Sequence, residues 1–199
     1  LNRREIKVDP IPALERGREW STEDMMIKKM EDAMAQILLY FPFFGYFIYS
    51  WKIREENKTI ETMATSYEYL FYNTKFCEKL APEEVGAVII HEIVHNMFLH
   101  PTKMSVIQAS NKIKYLWTIA EEMVTNAETI KLISATSGSG SSRSPFNLAG
   151  IPLSPFTKQG KPTKSKSDTG GHWYDPNYSE ETALDIYEKL KEHFKEKAI

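Results

Sequence analysis

The segment His91-Glu92-Ile93-Val94-His95 lies within a strongly helical, largely apolar stretch of the chain. In an α-helix, positions i and i+4 are only about 40° apart around the axis, so both imidazoles would project from one face and could bind a single Zn²⁺. Glu92 would lie about 100° from His91, at the edge of that face, where a carboxylate can hold and deprotonate a water molecule. The motif therefore indicates zinc-dependent hydrolytic chemistry.

The surroundings of the motif favour a metal over two ordinary core histidines. The three preceding residues, Val88-Ile89-Ile90, are apolar, which predicts a buried helix. Burying an unpaired charge is costly, and a metal ion would supply the partner that buried histidine and glutamate side chains need. The alternative is that the histidines hydrogen-bond to the backbone while Glu92 pairs with a lysine. Because three of the five histidines lie between positions 91 and 100, we favour the metal.

A catalytic zinc usually has three protein ligands, and three residues compete for the third position. His100 would lie about 180° from the first motif histidine on a continuous helix, so it could bind only if the helix broke near Phe98–Leu99. Glu121 and Glu122 lie on opposite flanks of the apolar stripe of the next helix, and helical geometry does not choose between them. We prefer Glu122 because Asn126, one turn later on the same flank, could hydrogen-bond to it.

The elements that position these residues follow from hydrophobic periodicity. Apolar residues at three- and four-residue steps predict a helix over about 21–39. The aromatic and β-branched segment 43–53 has strand composition, and residues 59–72 could form one or two further strands. Pro82 at a first helical position predicts the start of the motif helix, which should end before Pro101. A small antiparallel sheet beside a helix is therefore expected.

The remaining segments predict the domain organisation. Residues 113–133 have the pattern of another helix, and Ser179 would begin the last one. Residues 134–171 are rich in Ser, Gly, Lys, Thr and Pro, which predicts a flexible loop. The polar residues 1–20 are expected to form an N-terminal arm, and residues 21–199 a single domain.

Composition narrows the possible partners and location. The net charge of −2 gives no reason to expect nucleic acid or an anionic membrane as a partner. The single cysteine, Cys77, excludes an intramolecular disulfide and suits a reducing compartment. The longest apolar run, residues 37–49, contains proline and glycine and is too short to span a bilayer. We expect a cytoplasmic protein, and the sequence leaves its oligomeric state open.

Two segments, His91–His100 and Trp117–Asn126, resemble the "putative metallopeptidase domain" that precedes von Willebrand-A-like domains in bacterial and phage proteins. Members commonly show HExxH, four further residues and another histidine, followed by a helix reading Trp-Asn-Ile-Ala-x-Asp-x-x-x-Asn. Four residues match that helix here: Trp117, Ile119, Ala120 and Asn126. Thr118 replaces the usual Asn, and Glu122 stands in the Asp position.

The resemblance touches most of residues 35–195 and implies an α+β, zincin-like fold. A small antiparallel or mixed sheet would pack on the HExxH helix, with the Trp117 helix crossing beneath it. Motif and resemblance together predict a gluzincin-like site in which His91, His95 and Glu122 bind Zn²⁺ and Glu92 is the general base. His100 and Glu121 remain the alternatives for the third ligand.

The predicted function is zinc-dependent hydrolysis of peptide bonds in a protein or peptide substrate. Glu92 would take a proton from the attacking water and pass it to the leaving amine. The group that stabilises the oxyanion stays open among Tyr115, His100, His172 and Tyr174. An extended peptide is expected to lie along an edge strand formed by residues 59–72. The competing hypothesis is a catalytically inactive, zinc-stabilised interaction module, such as a phage or mobile-element effector.

Overall fold

The computed structural model describes residues 21–106, 111–137, 144–150, 153–155 and 172–196. The described helices are α1 (Thr22–Tyr40), α2 (Gly45–Ser50), α3 (Thr74–Glu78), α4 (Pro82–Met97), α5 (His100–Val106), α6 (Asn111–Ala135) and α7 (Ala183–Glu196). The described strands are β1 (Lys52–Glu55), β2 (Met63–Thr65), β3 (Tyr69–Tyr72), β4 (Leu153–Pro155) and β5 (His172–Tyr174). The predicted α+β class is confirmed.

Two predictions concern residues that are wholly or largely outside this range. The N-terminal arm over 1–20 is not among the described residues. Of the predicted loop, residues 138–143, 151–152 and 156–171 are also outside it. Within the described part, Phe146 packs against α4, and the Asn147 amide donates to the Glu83 carbonyl at 3.0 Å. This part of the segment is therefore attached to the motif helix.

Local sequence determines where α1 begins and ends. The Ser21 hydroxyl accepts a hydrogen bond from the Asp24 amide, and the Asp24 carboxylate accepts one from the Ser21 amide, each at 3.1 Å. This reciprocal pair satisfies two amides that a helix start would otherwise leave unpaired. After Tyr40 the chain meets Pro42, whose ring disfavours helix at the residue before it. The helix predicted over about 21–39 is confirmed.

The strand predicted over 43–53 is wrong for most of its length. Pro42–Phe44 form a 3₁₀ turn, α2 follows directly, and extended structure begins only at Lys52. The buried hydrophobic side chains of this stretch recur every three or four positions: Phe41, Phe44, Ile48 and Trp51. That spacing is helical, so packing of one aromatic face into the core overrides the strand-forming composition.

The three-stranded sheet has the order β1-β3-β2, with β1 parallel and β2 antiparallel to β3. It is therefore a small mixed sheet, and β2 is one of its edges. Residues 59–72 supply β2 and β3, as predicted. Among the described strands β2 pairs only with β3, and because β2 packs against α4, this edge of the sheet lies beside the motif helix.

Two hydrophobic clusters stabilise the fold. The first core comprises buried residues from α1, the segment from Phe41 to Trp51, the sheet, α3 and α4, together with Ile133 and Phe146. The second core comprises seven buried residues, from α6, β5 and α7: Leu116, Ile119, Ala120, Met123, Trp173, Ile186 and Leu190. All side chains of α4 from Val85 to Val94 are buried, which is typical of a helix at the centre of a domain.

The ends of the later helices differ slightly from the predicted bounds. α4 stops at Met97, before Pro101 as predicted, and α6 extends the helix predicted over 113–133 by about a turn in total. α7 starts at Ala183 rather than at Ser179, because Thr182 caps it by accepting the Asp185 amide at 3.2 Å. Across the described residues, no helix is both long and apolar enough to cross a membrane.

Candidate metal centre

The two motif histidines project from α4 in the same direction. Their Nε2 atoms are 3.0 Å apart, as the i, i+4 spacing requires when both rings point to one place. His91 is only 1% exposed, so its imidazole is shielded from bulk water. One buried and one half-buried imidazole with nitrogens this close together are suited to a shared cation.

The carboxylate of Glu122 reaches the same point from α6. Its Oε1 lies 3.2 Å from His95 Nε2, and its Oε2 lies 3.6 Å from His91 Nε2. Ligand atoms of the three residues all lie within 4.8 Å of one another. Two imidazole nitrogens and one carboxylate oxygen form a donor set that fits a divalent transition metal with an open coordination position.

The electrostatics of this cluster favour a positive charge. Burial alone would lower the pKa of His95, but the carboxylates of Glu122, Glu92 and Glu121 outweigh that effect and raise it. The raised pKa shows that the field at the His95 ring attracts cations. A metal ion would satisfy the same field.

Glu92 lines the cleft into which these donors point. The cleft has a volume of about 220 Å³, and Met63, Ala64 and Thr65 of β2 form part of its wall. Glu92 is 4% exposed, which keeps its carboxylate away from bulk solvent. A carboxylate in this position can exchange protons with a molecule held in the cleft.

His100 returns to the site because the helix breaks near Phe98–Leu99, which was the condition for His100 to approach the motif histidines. α4 ends at Met97 with Phe98 as its cap, and Leu99 takes a left-handed conformation with φ of 59°, so α5 does not continue α4. His100 Nδ1 then lies 2.8 Å from His95 Nδ1. Of the two ring nitrogens of His95, Nδ1 therefore faces His100 and Nε2 faces Glu122. Burial, together with the charges of His95 and Lys103, lowers the pKa of His100 to about 3.

Glu121 occupies a separate position beside the cluster. Its Oε1 accepts the indole N–H of Trp117 at 2.7 Å and lies 4.0 Å from His100 Nε2. Burial raises the pKa of this carboxyl to about 7. Sequence reasoning missed the link to Trp117, although the four-residue separation on one helix was a readable signal.

A family model described as "putative metallopeptidase domain" matches residues 26–132, more than half of the chain. The chain belongs to this family. The matched region contains β1 to β3, all of α4 and most of α6, so the resemblance inferred from the motif is confirmed. Searches among curated proteins and among solved structures returned no match.

In this metallopeptidase-family domain, Asn126 connects α6 to β5. Its amide donates to the carbonyl of Trp173 at 2.9 Å, and its Oδ1 is buried with no hydrogen-bond partner in the described part of the chain. The predicted support of Glu122 by Asn126 stays a prediction.

Asn96 was missed by sequence reasoning. It is buried directly after the motif, and its amide donates to Thr65 Oγ1 at 3.0 Å and to the Ser66 carbonyl at 3.4 Å. These bonds attach the edge strand β2 to the motif helix of the family domain. A polar residue on an otherwise buried helix was the available signal.

Proposed function

We propose that this domain is a zinc-dependent metallopeptidase that cleaves peptide bonds in a protein or peptide substrate. The observation that supports it most is the convergence of Glu92 and the three donors of His91, His95 and Glu122 on one cleft. Zinc is preferred because imidazole with carboxylate is its usual donor set, whereas Ca²⁺ and Mg²⁺ prefer oxygen alone.

Zinc would supply a Lewis acid that lowers the pKa of a water molecule and polarises the scissile carbonyl. Glu92 is the proton carrier: its carboxylate accepts a proton from the attacking water and later gives it to the leaving amine. His91, His95 and Glu122 hold their donor atoms in place through two helices. The buried position of Glu92 shields its carboxylate from bulk water.

The open edge of β2 is the proposed substrate track. Ser66 donates to the Tyr69 carbonyl, and Asn73 donates to the Thr62 carbonyl. In an antiparallel pair such bonds alternate, so the main-chain groups of Met63 and Thr65 point to the side away from β3. An extended peptide could pair there through its backbone, with the scissile bond carried toward the metal. Such backbone pairing would select substrates by their extended conformation more than by the identity of their side chains.

The single cysteine of the chain is consistent with a protein that acts on its substrate in the cytoplasm. Cys77 is buried, and burial raises its pKa to about 12. A buried, protonated thiol is consistent with a protein that works in a reducing compartment.

Glu92→Gln tests the proposal most directly. The purified variant should retain zinc, measured by elemental analysis, while cleavage of a peptide library falls by about 10²- to 10⁴-fold, the usual loss of a general base. Glu83→Gln, an exposed glutamate on the same helix, is the matched control and should cleave normally. Cleavage by Glu92→Gln at the wild-type rate would refute the peptidase.

A second candidate function is a zinc-stabilised interaction module. It is favoured by one observation: the proposed ligands come from α4 in the first core and from α6, which carries most of the second core. A metal at that junction would hold the two parts together. In this case zinc removal abolishes partner binding, and Glu92→Gln changes neither partner binding nor zinc content.

A further inference from the structure

His95 makes contacts through both of its ring nitrogens. Nε2 lies 3.2 Å from Glu122 Oε1, and Nδ1 lies 2.8 Å from His100 Nδ1. At 2.8 Å, one of the two Nδ1 atoms must carry a proton and the other must accept it. The tautomers of His95 and His100 are therefore coupled.

Only one of the two arrangements leaves neutral His95 able to bind a metal. If His100 donates, a neutral His95 carries its proton on Nε2, facing Glu122, and has no lone pair for the metal. If His95 donates, its Nε2 lone pair is available to the metal. His100 then carries its own proton on Nε2.

Side chains from α6 favour the second arrangement. His100 Nε2 lies 4.0 Å from Glu121 Oε1, so a proton on that nitrogen faces a carboxylate. The Trp117 indole N–H, at 2.7 Å, holds this carboxylate in position. Thr125 Oγ1 lies 3.4 Å from His100 Nδ1, where its hydroxyl can serve either tautomer and helps to hold the ring in place. The Glu121 contact therefore favours a proton on Nε2 of His100 and a lone pair on Nδ1.

The backbone before His100 is also unusual. Leu99 adopts the left-handed region although it is not glycine, and its side chain is 52% exposed. Exposure means that packing of the leucine side chain is not what requires this conformation. Backbone conformations of this kind persist where the surrounding structure demands them. Here the turn places His100 against His95.

We propose that His100 is a positioning residue that fixes His95 in the tautomer able to bind zinc, with Glu121, Trp117 and Thr125 holding His100 in turn. His100 is not itself a ligand. This inference rests on the zinc site of the proposed function, and it concerns how that site is prepared. Partners of this kind orient a metal-bound histidine and strengthen its binding.

The test compares His100→Leu with His100→Asn. Leucine removes the acceptor, whereas the asparagine Oδ1 can take the place of Nδ1. Zinc affinity, measured by competition with a chromophoric chelator, should fall about 10- to 100-fold in His100→Leu and stay close to wild type in His100→Asn. His193→Leu on α7 is the control, and thermal unfolding without zinc checks that each variant is folded. Equal affinity in His100→Leu and wild type, or an equal loss in both His100 variants, overturns the inference.

A second measurement keeps the inference testable if His100→Leu does not fold. Nitrogen-15 NMR of histidine-labelled, zinc-loaded wild type should show the proton of His95 on Nδ1 and that of His100 on Nε2. A proton on Nδ1 of His100, or zinc bound to His100, contradicts the proposal. A protein with these tautomers that cleaves no peptide would refute the peptidase and leave this inference standing. A protein that binds no zinc would refute both.

Discussion

The first and second cores contribute to the candidate site in different ways. The first core packs around α4, so the motif residues His91, Glu92 and His95 belong to a helix that is buried along most of its length, with these three side chains lining the cleft. The second core is smaller, because α7 covers one face of α6 and leaves residues such as Leu184 exposed. Glu122 belongs to α6, and the direction in which its side chain points depends on how α6 packs in both cores. The histidine pair is therefore a property of one helix, whereas the three-donor cluster is a property of the contact between two.

The largest expected effect comes from removing the contribution of α6 to the site. Glu122→Ala should lower zinc affinity by more than the 10- to 100-fold that loss of a supporting residue costs, because it would remove one of three ligands. Glu128→Ala, on the same helix but paired with Lys131 at 3.8 Å, should bind zinc as wild type does. Isothermal titration with zinc measures both. Unchanged binding by Glu122→Ala would exclude Glu122 as a ligand and return the third position to His100 or Glu121.

A matched pair of core substitutions compares how tightly the two clusters are packed. Ile89 in the first core and Ile186 in the second are both completely buried. Replacing either with Ala should cost about 2–5 kcal/mol of unfolding free energy. We expect the larger loss at Ile89, because α4 is enclosed and cannot move to fill a cavity, whereas α7 can shift.

Urea unfolding gives the two free energies, and Ile→Val at each position provides the milder control of about 0.5–1.5 kcal/mol. An equal or larger loss at Ile186 would show that the second core is packed as rigidly as the first.

The smallest expected effect tests a close contact on α4. A Cβ added at Gly86 would lie 2.8 Å from Cδ1 of Phe146, so the ring would have to shift. Overpacking of this kind costs about 1–3 kcal/mol, which exceeds the gain of about 1 kcal/mol from replacing glycine in a helix. Gly86→Ala should therefore lower the melting temperature.

Gly45→Ala is the control, since the nearest side-chain atoms to its added Cβ would be at 3.3 Å rather than 2.8 Å. It should change stability little. Adding Phe146→Leu to Gly86→Ala should recover part of the loss if the ring contact is its cause.

Several elements of the fold could be predicted because their signals are local. Pro82 marked the start of α4, the apolar periodicity located α1 and α6, and the HExxH spacing placed both imidazoles on one helical face. The strand predicted over 43–53 was wrong for most of its length because tertiary packing, not a local signal, decided its structure. Its aromatic composition suits a strand, but the burial of Phe44 and Ile48 in the first core made it helical.

The sequence by itself determined the family, the motif helix and the pairing of His91 with His95, because each depends on residue types at short separation. Which side chain of α6 approaches them was decided only in three dimensions. Glu121 and Glu122 flank the same apolar stripe symmetrically, so helical periodicity treats them alike. Packing of α6 against α4 turns Glu122 toward the histidine pair and Glu121 toward His100. The left-handed turn at Leu99, which brings His100 back, likewise depends on the surrounding tertiary structure.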